Sequence, residues 1–432
     1  MKIEELHKLF LESKGVTTDT RKIKRDQLFF ALKGDNFNGN LFAAQAVLKS
    51  GSYAVVDEEE YAVNDSFILV PNVLRTLQSL ATYHRIFLQI PILAITGSNG
   101  KTTSKELINV VLKRKFETVA TEGNLNNHIG VPLTLLSMKP STEFGIVEMG
   151  ANHPGEIRDL CEIARPDFGY ITNFGKAHLE GFGSVEGVIR AKGELYEHLK
   201  SNEKLIFLNI DDPIQQIHST YPKVFTFTHS KQASVKVEYP DTTKTAAVLY
   251  NGNLFTSVLT GNYNAVNIAA AITIGTYFKV PQEAMVKAIA SYIPKNNRSQ
   301  LVHLGENTLL MDAYNANPTS MHAALSSFEN YPSKNKWVIL GDMFELGDAS
   351  EREHQEVTSF IENMDLAKAF LVGTNFFKVM TSSDKISKFK DFNDLEEALR
   401  SKPPQKCHIL VKGSRGMALE RVQEVIRDTT QY

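Results

Sequence analysis

Ile92-Leu93-Ala94-Ile95-Thr96-Gly97-Ser98-Asn99-Gly100-Lys101-Thr102-Thr103 is the stretch that decides the fold. The short apolar run at its start, rich in β-branched residues, has the character of a strand buried on both faces of a parallel sheet. Gly97 and Gly100 open a turn. From Ser104 to Lys113 apolar residues then recur at helical spacing. Strand, glycine turn, Lys-Thr, helix is a cradle for phosphate. Glycines let backbone N–H groups turn inward, the helix N-terminus adds positive potential, Lys101 reaches terminal phosphates and the Thr102 hydroxyl can hold Mg²⁺. The spacing is not Gly-x-x-x-x-Gly-Lys, because the first glycine, Gly97, is close to Gly100. The plain alternative is a strand–turn–helix with no ligand.

The 432 residues suggest about three domains. A formal net charge of −2 gives no electrostatic reason to expect nucleic acid or an anionic membrane as partner. Cys161 and Cys407 are too few for a disulfide framework, which points to a reducing compartment. Cys161 falls in the helical apolar pattern of Ile157, Leu160, Ile163 and Ala164 and reads as core rather than nucleophile. The opening Met1-Lys2-Ile3-Glu4-Glu5 carries acids and no long apolar run, so neither a signal peptide nor a membrane span is expected. The expectation is a cytoplasmic soluble enzyme, acting as a monomer.

In the first section, residues 1–89, strands are expected at Leu28–Leu32 and Ala54–Val56, with helices at Leu41–Leu48 and Val73–Phe87. Two polar stretches interrupt it, Thr18–Arg21 and Lys33–Gly39. They read equally well as surface turns or as a site for a phosphorylated ligand. In the second section, residues 90–298, strands alternate with helices, as in a mainly parallel sheet. Its strands are expected at Phe144–Glu148, Phe168–Asn173 and Leu205–Asn209, with a helix at Val188–Leu199. Residues 224–258 read as short antiparallel strands, with Asn251-Gly252 as a hairpin turn. The third section, residues 299–432, shows strands at Leu309–Met311, Trp337–Leu340, Phe370–Val372 and His408–Val411, with Asp312, Asp342 and Lys412 just beyond strand ends. This is the pattern of a smaller, doubly wound, Rossmann-like unit. The fold class is therefore α/β in three domains: a small αβ unit, a P-loop-type parallel-sheet unit and a Rossmann-like unit.

Ligands in such sheets gather at the carboxyl ends of the strands. Thr102, Glu148 and His178 supply oxygen and nitrogen ligands there. A carboxylate ending an apolar strand needs a partner, either a metal or an arginine. Taken alone, His178 reads as a hydrogen-bonded loop histidine and Lys192 as a surface lysine.

Taken together, these residues resemble the Mur ligase family, the ATP-dependent amide-bond enzymes of peptidoglycan precursor synthesis. The general signatures are Thr96–Thr103, Glu148, Asn173–Glu180 and Ala191-Lys192-Gly193-Glu194. Others point to the branch that joins D-alanyl-D-alanine to a UDP-N-acetylmuramoyl-tripeptide. These are Gly123–Asn127 with Gly130–Thr134, Glu148–Asn152, Asp312–Pro318 with Ser320-Met321, Leu340–Met343 with Glu345–Gly347, and Lys412–Arg415.

The resemblance implies an N-terminal domain for the UDP-sugar peptide, a central domain for ATP and a C-terminal domain that brings the dipeptide. It implies that Gly97, Ser98, Asn99, Gly100, Lys101, Thr102 and Thr103 cradle ATP, with Lys101 on the β- and γ-phosphates. Asn264, Arg298 and Asp312 would contact its adenosine part. Thr102 and Glu148 would hold one Mg²⁺. His178 would hold a second, together with Lys192 as a carbamate. Asp19, Thr20 and Arg21 match the uridine-side motif. Asn124, Asn126, Asn127, Asn315, Asn317, Lys412, Ser414 and Arg415 are candidates for substrate contact. The chain departs from the family in two places. It has Gly261-Asn262-Tyr263-Asn264 where Gly-x-His-Asn is common, and Asn38 and Asn40 where an Asp and a His are common. The rival readings are a sister ligase adding the third residue, a folylpolyglutamate-synthetase-like ligase, and a non-catalytic nucleotide-binding regulator.

Overall fold

The computed structural model describes residues 1–240, 245–261, 263–294 and 297–430. Asn262, one of the two departures from the family pattern, lies outside the described residues. Three parallel or mostly parallel sheets follow one another along the chain.

The first has four strands in the order Val16–Thr17, Leu28–Phe30, Ala54–Val56 and Phe67–Leu69, all parallel. The helix Val73–Leu88 packs against the helix Ile3–Glu12 and also against Gly130–Leu136 and Glu156–Ala164 of the next unit. Leu6, Leu77, Val131 and Leu160 consequently share one apolar core.

The central sheet has seven strands. In spatial order they are Val235–Lys236, Val224–Thr228, Leu205–Asn209, Phe168–Ile171, Ile92–Thr96, Phe144–Glu148 and Thr118–Ala120. Every pairing is parallel. The strand period of two sends Ile92 and Ala94 into one core and Leu93 and Ile95 into another. Helices cover both faces, so the run reads as continuously apolar. The chain leaves Ile92–Thr96 toward one edge and later returns to its other side. That strand is therefore the switch point, and a crevice opens beyond its carboxyl end.

The expectation of antiparallel strands over residues 224–258 is corrected in its first half. Val224–Thr228 and Val235–Lys236 extend the parallel sheet at its edge. The short helix Pro213–Gln216 and the turn after it carry the chain back over the sheet, which a hairpin would not require. In the second half the hairpin is present. Ala247–Tyr250 pairs antiparallel with Asn253–Thr256 around Asn251 at φ 46° and Gly252 at φ 75°. Positive φ at both central residues is the geometry that Asn-Gly favours.

The C-terminal sheet runs Gln300–Leu304, Asn307–Asp312, His408–Lys412, Lys336–Gly341, Lys368–Val372 and Ile386–Phe389. Only its first pair is antiparallel. Alternation again splits it between two cores: Val338 and Leu340 face one, Ile339 and Val411 the other. Among the described residues, no helix is long and apolar enough to cross a membrane.

Candidate active site

A cavity of about 900 Å³ lies beyond the carboxyl ends of the central strands, with the C-terminal unit forming one wall. Its volume is at the upper end of the range for small-molecule sites, roughly 300–1,000 Å³. The glycine loop forms its floor. Gly97 sits at φ 138°, and a Cβ there would meet Thr172 Oγ1 at 2.0 Å. Gly100 caps the following helix at φ 77°, where a Cβ would meet Asn267 Oδ1 at 2.7 Å. Only glycine fits both the backbone and the space. The loop is tied to the neighbouring strand end. Ser98 N–H donates to Asn173 O at 3.0 Å, Asn99 N–H to Asn173 Oδ1 at 3.0 Å, and Thr172 Oγ1 to Asn99 O at 2.6 Å.

Lys101 folds back on its own loop, donating from Nζ to Gly97 O at 2.6 Å. Burial pushes its ammonium below the ordinary lysine value. Glu148 opposes this and Arg298 adds to it.

Thr102 and Glu148 are both buried and touch: Thr102 Oγ1 donates to the carboxylate at 3.0 and 3.2 Å. Asn126 Nδ2 donates to the same carboxylate at 2.9 Å. The cationic partner of Glu148 is a lysine and not an arginine: Lys105 Nζ lies 3.8 Å away and also donates to Thr121 O at 2.6 Å. Among the described residues, no three His, Cys, Asp or Glu side chains converge as a metal cage. One carboxylate beside one hydroxyl nevertheless fits Mg²⁺, which keeps waters and takes further oxygens from phosphates.

His178 lies on the cavity wall at φ 52°, its Nδ1 against the carboxylate of Glu345. Lys192 is fully buried on the helix Val185–Ser201. Its Nζ donates to Ala151 O at 3.0 Å and sits 5.1 Å over the Phe182 ring. Among the described residues it forms no ion pair. Burial drives its pKa well down and nearby Lys101 drives it further, while Glu156 and Glu194 oppose. The solvated lysine read from the residues alone is therefore not what the fold builds. A neutral buried amine is what a carbamate requires, so the residue fits that modification.

The far wall belongs to the C-terminal unit. Asp312 accepts from Lys412 Nζ at 2.6 Å, and Lys412 also reaches Asn315 O at 3.3 Å. The Arg298 guanidinium stacks 3.6 Å from the Tyr314 ring centre. Asn264 is buried, donating to Thr260 O at 2.7 Å and Ser299 Oγ at 3.2 Å. Asn317 caps the helix Pro318–Glu329 and donates to Asn99 Oδ1 of the glycine loop at 2.7 Å.

Several expected residues stand apart from this cavity. Asp19 and Arg21 pair with each other on the first unit, at 2.9 Å for both contacts, and Arg21 holds the Asp19 carboxyl down to about 2. Thr20 lies between them, its carbonyl accepting from Lys49. Asn38 and Asn40 bind Glu58 and Asp57, the acids that also pair with Lys33. Ser414 Oγ accepts from Phe344 N–H at 2.9 Å, and Arg415 pairs with Glu420 at 2.8 Å. Asn124, Asn126 and Asn127 do line the cavity. Asn127 also uses Oδ1 to accept from Ile129 and Gly130 N–H groups.

The profile of the Mur ligase middle domain matches residues 95–275, and that of the Mur ligase, glutamate ligase domain matches residues 297–415. The UDP-N-acetylmuramoyl-tripeptide–D-alanyl-D-alanine ligase of Bacillus subtilis (strain 168) is 35% identical over 428 residues, covering 96% of this chain and 92% of that protein. The chain belongs to the Mur ligase family. A crystal structure of MurF from Acinetobacter baumannii superposes with a TM-score of 0.84 at 28% identity, covering 96% of this chain and 93% of that one. MurF from Thermotoga maritima, solved in complex with ADP, gives 0.85 at 25% identity over 98% and 99%.

This Mur ligase also places residues in the site that sequence reasoning missed. Asn267 accepts from Ser104 Oγ at 2.9 Å and donates to Asn264, linking the phosphate-loop helix to the helix Tyr263–Tyr277. Its spacing from Asn264 on one helix face was the available signal. Lys105 follows Lys101 by one helical turn, and that repeat was the signal there. Tyr314 and Glu345 had none beyond their place in the quoted stretches.

Proposed function

We propose that this Mur ligase joins D-alanyl-D-alanine to the terminal carboxylate of a UDP-N-acetylmuramoyl-tripeptide at the expense of ATP. The observation that carries this reading is the cavity shared by the glycine loop, Glu148 and the Asp312–Asn317 wall. What supports the choice of substrates is the named function of the Bacillus subtilis relative over nearly its full length. The division of labour follows sections 1–89, 90–298 and 299–432, for the UDP-linked substrate, ATP and the dipeptide. The reading includes a monomer acting in the cytoplasm, in keeping with two buried free thiols.

A carboxylate is a poor electrophile because resonance and charge protect it. The tripeptide carboxylate attacks the γ-phosphorus of ATP, ADP leaves, and an acyl phosphate forms. The dipeptide amine then attacks the carbonyl, and inorganic phosphate departs from the tetrahedral intermediate. The protein's work is positioning and charge neutralisation. Lys101 swings from its own loop carbonyls to the phosphates. Asn264, Arg298 and Asp312 hold the adenosine part. Asn124, Asn126, Asn127, Asn315, Asn317, Lys412, Ser414 and Arg415 serve the substrate side, and Asp19, Thr20 and Arg21 the uridine end. Thr102 and Glu148 would hold one Mg²⁺, and His178 and carbamylated Lys192 a second. The ions supply charge neutralisation to the phosphates when bound.

Phosphate release is expected only when ATP, Mg²⁺, UDP-tripeptide and D-alanyl-D-alanine are all present. A coupled phosphate assay with each component omitted in turn checks this. Equal turnover with a single free amino acid in place of the dipeptide favours a sister ligase instead. The C-terminal unit is also expected to close on its substrates, because a nucleotide touching Lys101, Arg298 and Asp312 bridges two units. Small-angle scattering should show a smaller radius of gyration with an ATP analogue plus UDP-tripeptide. An unchanged radius contradicts closure.

A further inference from the structure

Arg298 stands where the central section passes into the C-terminal one. Both its neighbours are in left-handed backbone, Asn297 at φ 55° and Ser299 at φ 47°. Residues with a Cβ adopt that conformation at a cost, and it persists where the surroundings over-determine it. Here Ser299 is buried. Its Oγ shares a hydrogen bond with Tyr263 Oη at 3.0 Å and accepts from Asn264 Nδ2 at 3.2 Å. The root of the Arg298 side chain is therefore fixed. At the far end, its guanidinium carbon lies 3.6 Å from the ring centre of Tyr314. Both residues line the cavity. Among the described residues, the guanidinium forms no hydrogen bond and no ion pair.

A guanidinium is planar and weakly hydrated, so it lies readily against an aromatic face. Stacking uses the flat face and leaves the N–H edge uncommitted. That edge is a fork matched to paired oxygens such as those of a phosphate. A long side chain already held on a ring also has less rotamer freedom to lose when a ligand takes it up. Arg415 lies near the same ring, 5.8 Å from its centre, but it is paired with Glu420. Of the two, Arg298 keeps its donors free.

We propose that Tyr314 is a positioning residue for Arg298, its ring holding the guanidinium flat so that the N–H edge takes oxygens of the nucleotide. This rests on the reading of Arg298 as a nucleotide contact. The role belongs to the face of the ring and not to the tyrosine hydroxyl. A ring that met the nucleotide itself would act without Arg298, and a ring that only steadied the C-terminal unit would leave nucleotide affinity alone.

The test is calorimetric titration of the full chain with ADP in the presence of Mg²⁺, with thermal melts on every variant. Tyr314→Phe keeps the ring face and should bind within about twofold of the parent, whereas Tyr314→Leu should bind about tenfold more weakly. Arg298→Ala should bind more weakly by at least as much. Tyr314→Leu added to Arg298→Ala should cost nothing further, because the ring acts through the arginine. Arg298→Lys keeps the charge without the planar fork and leaves the C-terminal unit untouched, so it should also lose several-fold, on the order of the Tyr314→Leu loss. Parent affinity in Tyr314→Leu overturns the proposal. So does an equal loss in Tyr314→Phe, which assigns the hydroxyl, or a full Tyr314→Leu loss on top of Arg298→Ala, which puts the ring itself on the nucleotide. Should Tyr314→Leu fail to fold, Arg298→Lys decides, and parent affinity there overturns the proposal. Parent affinity in Arg298→Ala removes the underlying reading of Arg298, an outcome seen without any change at Tyr314.

Discussion

Lys101→Ala is expected to lose turnover by roughly a hundredfold to a thousandfold, the loss typical of removing one preorganised partner of developing charge. Among the described residues, the lysine's hydrogen bonds go to the carbonyls of Gly97 and Ser98. Removing it breaks no ion pair among the described residues and leaves the loop anchored through Ser98, Asn99 and Thr172. The melting temperature should therefore hold. Its ammonium is partly desolvated in a cavity that contains Glu148 and Arg298, so its charge acts there at lower screening than in water. Each tenfold in rate corresponds to about 1.4 kcal/mol, so a variant within tenfold of the parent would assign Lys101 little more than that and make it a bystander. Phosphate release together with a thermal melt gives the answer.

Lys192→Arg is expected to lose most activity although it exchanges one long basic side chain for another. Carbamate formation needs a neutral amine that attacks CO₂, and a guanidinium cannot supply one. A free lysine, with a pKa of about 10.4, is almost wholly protonated at neutral pH. Lys192 differs because burial and Lys101 push its pKa well down. The carbamate would convert a buried neutral amine, which forms no ion pair among the described residues, into an anion able to serve a metal. Arginine also needs more room than this fully buried site provides, so Lys192→Ala is measured beside it. Lys192→Ala should lose activity and recover part of it with added acetate or formate, a small carboxylate filling the vacated position. Melts on both variants exclude unfolding. Full activity of Lys192→Arg rejects the carbamate.

The parts of the fold legible in the sequence are those where local pattern and burial agree. Ile92–Thr96 and Trp337–Leu340 are continuous apolar runs because helices cover both faces of their sheets, and such runs stand out. Edge strands do not. Thr118–Ala120 and Ile386–Phe389 are only half-buried, so their sequences carry little apolar signal. Gln300–Leu304 is likewise mostly half-buried and pairs antiparallel with the strand next to it in the chain. The helix Ile3–Glu12 carries a weak apolar signal because only Leu6, His7 and Phe10 are buried on it. In the site, Lys101, Thr102 and Glu148 were readable as strand-end residues beside a glycine turn. The contacts that give them their chemistry were not. Lys105 meets Glu148 and Glu345 meets His178 through folding of distant segments, and a single sequence holds no distance information. Lys192 shows the limit most plainly: on a helix it looks like any surface lysine, and only the packing of that helix against Ala151 and Phe182 makes it a buried amine.

In this reading the cavity activates a carboxylate by phosphorylating it. The direct measurement is turnover with UDP-tripeptide labelled with ¹⁸O in its terminal carboxylate, followed by mass analysis of the phosphate, nucleotide and peptide products. An acyl phosphate leaves one labelled oxygen in the inorganic phosphate, an unlabelled ADP, and the other labelled oxygen in the new amide. Label in AMP, or unlabelled phosphate beside the ligated product, would contradict the account.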